Sequence, residues 1–142
     1  MSRDREILRV LAIGVQLYRV ERDGDGRLVA RPIGPRANLF DYTGHKLGTH
    51  YMGGRGPVWA LCAGCVVGKE LRRRPSPNAD SIPEVQLAAT ASGGGGALGG
   101  TTLVEQIDTF GGAAPAVVPA LHAGDTVESP YSAEYVFYAA PS

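Results

Sequence analysis

Apolar and polar residues alternate along most of this chain. Ile13, Val15 and Leu17 are interleaved with Gly14, Gln16 and Tyr18, the period of two that a strand with one face in a core produces. "RDGDGR" (Arg22 to Arg27) then reads as a turn, because Gly and Asp tolerate positive φ. "LVARPI" returns as a strand and completes a first hairpin. The scheme repeats: a strand runs to Phe40, Tyr42-Thr43-Gly44 turns, and a strand restarts at Lys46. "PVWALC", "CVVGKEL", "EVQLAATA", "TTLVEQIDTF" and "AEYVFYAA" supply further short strands. "REILRVLAI" is the best helical candidate, and it is short. About eight or nine strands at this spacing predict an all-β fold, an antiparallel β-barrel or closed β-sandwich. The inward face is expected to carry Val15, Leu17, Leu39, Trp59, Val67, Leu87, Leu103, Ile107, Tyr135 and Phe137.

At 142 residues the chain fits one domain spanning 1–142, with 1–12 as an N-terminal segment. A domain of this size buries roughly 70% of its unfolded surface, enough for a hydrophobic core. With 20 Gly and 10 Pro, the composition favours tight turns over helices. "SGGGGALGG" (92–100) holds six glycines in nine residues and is expected to be a flexible loop.

Net charge is zero but unevenly placed: all 14 Lys and Arg precede residue 75, giving +7 there and −7 beyond. The expectation is that the halves interleave and neutralise each other, since a nucleic-acid binder has a net basic domain. The competing expectation is a homo-oligomer in which basic and acidic faces meet. No stretch approaches the ~20 apolar residues of a spanning helix, so no membrane partner is expected. The N-terminus lacks a secretory pattern. The chain is expected in the cytoplasm if Met1 is native, and outside the cell if a leader was removed.

Several motifs dissolve on inspection. Gly94, Gly96 and Gly99 form a G-x-G-x-x-G, but a β-rich segment follows where a nucleotide site needs a helix. "DGDG" has calcium-loop spacing at Asp23 and Asp25, yet Arg27 takes the third ligand position. Cys62 and Cys65 form a lone C-x-x-C, most simply two semi-buried thiols; zinc would need a second ligand pair. No cofactor and no metal are expected. His50-Tyr51 followed by Pro57-x-Trp59 remains. A histidine beside aromatics lines small-molecule pockets, or Trp59 packs in the core while His50 makes a structural hydrogen bond.

The chain resembles the DUF3455 family of uncharacterised bacterial and fungal proteins. The resemblance rests on "GVQLY", "LFDYTGHKLGTHYMGGRGPVW", "VVGK", "DSIPEVQL", "TFGGAAP" and "PYSAEYVFY", in that order. Gln16, Tyr18, Asp41, Gly44, His50, Tyr51, Pro57, Trp59, Gly68, Ile82, Pro83, Gly111, Gly112, Pro115, Pro130, Tyr131, Ala133 and Tyr135 match its pattern, and His122 aligns loosely. Related fungal sequences often carry the label malate dehydrogenase, but the strand-turn-helix that binds a nicotinamide is absent here. The resemblance implies a secreted protein with a paired cysteine after each of two motifs. Arg19 and the Val117–Pro119 segment occupy those regions here, which agrees with a reducing compartment. Glu84 stands where the family has Trp, and Gln106 where it has Arg.

The leading expectation for function is a non-enzymatic binding or structural module that takes a small molecule, a sugar or a protein partner. His50, Tyr51, Trp59, His122, Tyr131 and Tyr135 are its candidate ligand-binding residues. The alternative is an enzyme of small molecules in a β-barrel cavity with His50 as acid or base and Tyr51 or Tyr131 as hydrogen-bond partner, which requires His50 and a tyrosine hydroxyl to meet in one concave pocket.

Overall fold

The structure, a computed structural model, describes residues 4–94, 96–117 and 120–141. Eight antiparallel strands close into a barrel in sequence order: β1 (Arg5–Arg22), β2 (Leu28–Phe40), β3 (Lys46–Gly53), β4 (Gly56–Leu61), β5 (Gly64–Arg74), β6 (Glu84–Gly93), β7 (Thr101–Gly111) and β8 (Thr126–Ala139). β1 pairs with both β2 and β8 and so seals the cylinder. Closure removes the sheet edges of the barrel body. Among the described residues no helix is long and apolar enough to cross a membrane.

The helical candidate "REILRVLAI" is instead the first half of β1. Val10 faces Tyr135 of β8, and Val10 and Ala12 are fully buried. Tertiary pairing overrides the local pattern there. The N-terminal segment expected over 1–12 is therefore part of the barrel from Arg5 onward, while Met1 to Arg3 lie outside the described residues.

The core cluster contains Leu39, Trp59, Leu87, Tyr135 and Phe137, as expected. Val15, Leu17, Val67, Leu103 and Ile107 are absent from it. On β1 the inward positions are Val10, Ala12, Gln16 and Tyr18, while Ile13 is half exposed outside. On β7, Val104 and Gln106 point in. Apolarity misassigned these faces because the interior at one end is a partly polar cavity, and the outer wall carries many apolar residues.

The first hairpin projects past the barrel. β2 pairs with β3 only from Arg36 onward, so Leu28 to Pro35 have a partner on the β1 side alone. Pro32 and Pro35 are tolerated there because the N–H each lacks has no ladder to join. A bulge at Ile33 bends this segment: Leu17 faces Gly34 and Tyr18 faces Pro32.

The glycine-rich segment plugs the opposite end. Ala97–Gly100 forms a short 3-10 turn, and Leu98 is fully buried. Leu98 N donates to Ala63 O of the β4–β5 turn at 3.0 Å. A Cβ on Gly96 would lie 2.3 Å from that same carbonyl oxygen, so only glycine permits the approach. Gly95, in the middle of the expected flexible loop, lies outside the described residues.

The two oppositely charged halves meet at two seams. Arg9–Glu134 and Arg36–Glu128 join β1 and β2 to β8, and Arg74–Glu84 joins β5 to β6.

Candidate functional site

A cavity of about 570 Å³ opens at the end of the barrel away from Leu98. Its floor is His50, Trp59, Leu87 and Gln106, and its walls include Gln16, Tyr18, Ile33, Met52, Ile82 and Val85. Pro32, Pro35, Pro57 and Pro83 stiffen the mouth. This volume lies within the range that takes a small organic molecule.

Strand register builds the floor. His50 on β3 faces Trp59 on β4 and Ala37 on β2, so all three share the inner side. The imidazole stacks on the indole with ring centroids 4.6 Å apart. Tyr135 crosses from β8 at 4.7 Å from the imidazole and 5.5 Å from the indole. Gly68 on β5 leaves room for this ring, since a Cβ there would meet Trp59 Cζ3 at 2.8 Å.

His50 is held in one tautomer. Its Nδ1 lies 2.8 Å from Val58 O, and a carbonyl only accepts, so Nδ1 carries the proton. Burial without a carboxylate partner pulls its pKa down to about 4. At neutral pH the ring is uncharged and Nε2 presents a bare lone pair. Nε2 hydrogen-bonds to none of the described residues. His50 itself is among the residues that line the cavity.

The tyrosines form a relay. Tyr135 OH donates to Gln106 Oε1 at 2.7 Å, and Gln106 Nε2 donates to Pro83 O at 2.8 Å. Tyr131 OH, 3.2 Å away, therefore donates to the Tyr135 oxygen. Burial raises the Tyr135 pKa well above its usual value and pushes Tyr131 up to about 12. Tyr18 OH donates to Gly112 O at the mouth.

The mouth walls are fixed by hydrogen bonds between loops. Thr109 Oγ1 donates to Ile82 O at 2.6 Å, and Ile82 N donates to Gly111 O at 2.9 Å. Ser76 Oγ and Asn78 Nδ2 both donate to Thr109 O. This anchors the proline-rich connection that sequence alone reads as an irregular link. A bulge between Glu70 and Arg72 turns Arg73 toward the mouth, where its guanidinium pairs with Glu70. These are the only charged side chains among the cavity's described lining residues.

The expected site residues divide. His50 and Trp59 line the cavity, and Tyr135 and Tyr131 lie buried beside it. Tyr51 does not join them: it follows His50 by one position, so the pleat turns it outward, where it is 42% exposed. His122 is exposed on the loop before β8, with Asp125 at 3.9 Å. His45 is likewise exposed at the β2–β3 turn. Gln16, Tyr18, Gln106 and the four prolines were missed as cavity residues. The signal that could have found Gln16 and Tyr18 was their place in the "GVQLY" motif, set aside because the odd positions were more apolar. Of the eighteen residues that carried the family resemblance, seven line the cavity: Gln16, Tyr18, His50, Pro57, Trp59, Ile82 and Pro83. Gln106, one of the departures from that pattern, also lines it.

Neither Tyr51 nor Tyr131, the partners expected of His50 in the enzyme alternative, is among the cavity's lining residues; the tyrosine ring in contact with His50 is Tyr135. The Tyr135 proton is already committed to Gln106. Cys62 and Cys65 are both exposed and unpaired beside the β4–β5 turn, not semi-buried as expected. No group of three or more metal-ligating side chains converges among the described residues. Val118 and Pro119, part of the segment where the family's second cysteine was expected, lie outside those residues.

A family model described as "Protein of unknown function (DUF3455)" matches residues 1–139. No curated protein and no solved structure gives a significant match.

Proposed function

We propose that this chain, which belongs to the DUF3455 family, is a small-molecule-binding barrel. The observation that carries the reading is the open cavity of about 570 Å³, stiff at its mouth and lined mostly by apolar residues. Pre-formed walls lower the ordering cost of binding. The ligand is a compact molecule with an apolar body, because Ile33, Met52, Ile82, Val85 and Leu87 dominate the surface it would touch. A sugar needs several polar groups around an aromatic face, and the cavity offers few. The convergence of family-pattern residues on this cavity supports the same reading.

Trp59 is the only tryptophan and lies at the cavity floor, so it reports occupancy directly. Titration with a panel of compact aromatic and alicyclic compounds is expected to give saturable changes in its emission and a raised Tm. A panel that leaves both unchanged, with Val85→Phe indistinguishable from the parent chain, would remove the proposal.

A further inference from the structure

The chemistry of the cavity floor narrows the ligand further. The Nδ1 of His50 is used on Val58 O, the ring is stacked on Trp59, and Nε2, on a residue that lines the cavity, has no described partner. Three neighbouring polar groups are engaged, Tyr131 on Tyr135, Tyr135 on Gln106, and Gln106 on Pro83 O, while Trp59 Nε1–H is buried without a described partner. Nε2 is thus a fixed acceptor at the bottom of an apolar throat. An acceptor in such a place is left unsatisfied by an apolar ligand end and repelled by an anionic or carbonyl end. The group that completes it is a neutral hydroxyl or N–H donor.

Resting on the binding reading above, we infer that the barrel selects neutral ligands with an apolar body and a terminal hydrogen-bond donor, of the phenol or alcohol class, whose O–H donates to His50 Nε2. A carboxylate end is disfavoured at His50 Nε2 because no positive charge faces it there, and the unpartnered Trp59 Nε1–H is itself buried. It could meet only Arg73 at the mouth, and that guanidinium is already paired with Glu70. The selectivity is that of a site built to hydrogen-bond a substrate hydroxyl, which discriminates against the analogue lacking it.

Three probes with one body separate the possibilities: 4-tert-butylphenol, its methyl ether 4-tert-butylanisole, and 4-tert-butylbenzoate. Affinities are read from Trp59 emission and by calorimetry at pH 7. The phenol is expected to bind about tenfold more tightly than the ether, the worth of one neutral hydrogen bond, and the benzoate more weakly than either. In wild-type protein the nitrogen-15 resonance of His50 Nε2 should move on adding the phenol and stay in place with the ether. His50→Phe should abolish the difference between phenol and ether while the ether's own affinity persists. Equal binding of phenol and ether, or tightest binding of the benzoate, overturns this inference and leaves the binding function standing. Failure of all three to bind, with the folded state confirmed by circular dichroism, overturns both.

Discussion

The imidazole of His50 lies almost parallel to the indole of Trp59, with 11° between the ring planes. The pair comes from adjacent strands in direct register. Stacking of this kind contributes about 0.5–1.5 kcal/mol beyond area burial. It also fixes the imidazole so that one nitrogen is spent on the backbone and the other has no described partner.

That burial makes stability depend on pH. The His50 pKa is lowered from 6.5 to about 4 in the folded state. Between those values the unfolded chain holds the proton and the folded one does not. The stabilisation is full above about pH 6.5 and declines as pH falls toward 4. The groups around the ring are the uncharged Trp59 and Tyr135, with Glu70 and Arg73 paired at the mouth. A shift of this size corresponds to about 3 kcal/mol. Urea unfolding at a series of pH values should show the loss. His50→Gln should remove this component of the slope.

Gly68 is held to its size by Trp59. An added Cβ would lie 2.8 Å from Cζ3 of the indole and 3.3 Å from Leu87 Cδ2. Gly68→Ala should cost about 1–3 kcal/mol through overpacking and shift the tryptophan emission. Gly54, with nothing within 4 Å of its added Cβ, is the control. Equal unfolding midpoints for the two variants would contradict the packing described.

Leu98 closes the far end of the barrel and is fully buried. Leu98→Ala should destabilise the protein by about 2–5 kcal/mol. Ligand affinity in the folded variant should change little, because Leu98 does not line the binding cavity. Thermal unfolding with and without ligand separates the two effects.

Tyr135 carries the relay between Tyr131 and Gln106. Tyr135→Phe removes the donor to Gln106 and the acceptor for Tyr131 together. The cost is expected to be about 1–3 kcal/mol, since the orphaned groups are buried. Tyr131→Phe removes only the end of the chain and should cost less. Denaturant midpoints of the two variants give the order.

Glu84 and Glu70 give a contrast between two ion pairs. Glu84 is nearly buried, takes Arg74 at 2.8 Å and accepts from Asp108 N at 3.0 Å, where the backbone has a φ of +50°. Glu84→Ala leaves that N–H without its partner and should be clearly destabilising in chemical denaturation. The exposed Glu70–Arg73 pair is worth about 0–1 kcal/mol, so Glu70→Ala should be close to neutral.

The alternation of residues along the chain determined the class of this protein and most of its turns. Gly and Asp at 23–26, the Tyr42–Gly44 turn and the five later strand segments are local signals, set by φ preference and period. Leu39, Trp59, Leu87, Tyr135 and Phe137 declared themselves as core because they are apolar residues at inward positions of their strands. The sequence also marked His50 and Trp59 through the block that carries the family resemblance. Which face of β1 and β7 points inward was decided by tertiary structure alone. Closure of β8 onto β1 placed Gln16, Tyr18 and Gln106 around a cavity, where Tyr18 and Gln106 are tolerated because they bond to loop carbonyls and to Tyr135, and Gln16 because it lines open space. Sequence pattern assigns the more apolar face to the core; a barrel with an occupiable interior reverses that rule. The separation of Tyr51 from His50, adjacent in sequence and on opposite sides of the wall, follows from the pleat once register is fixed. The register itself comes from contacts between distant strands.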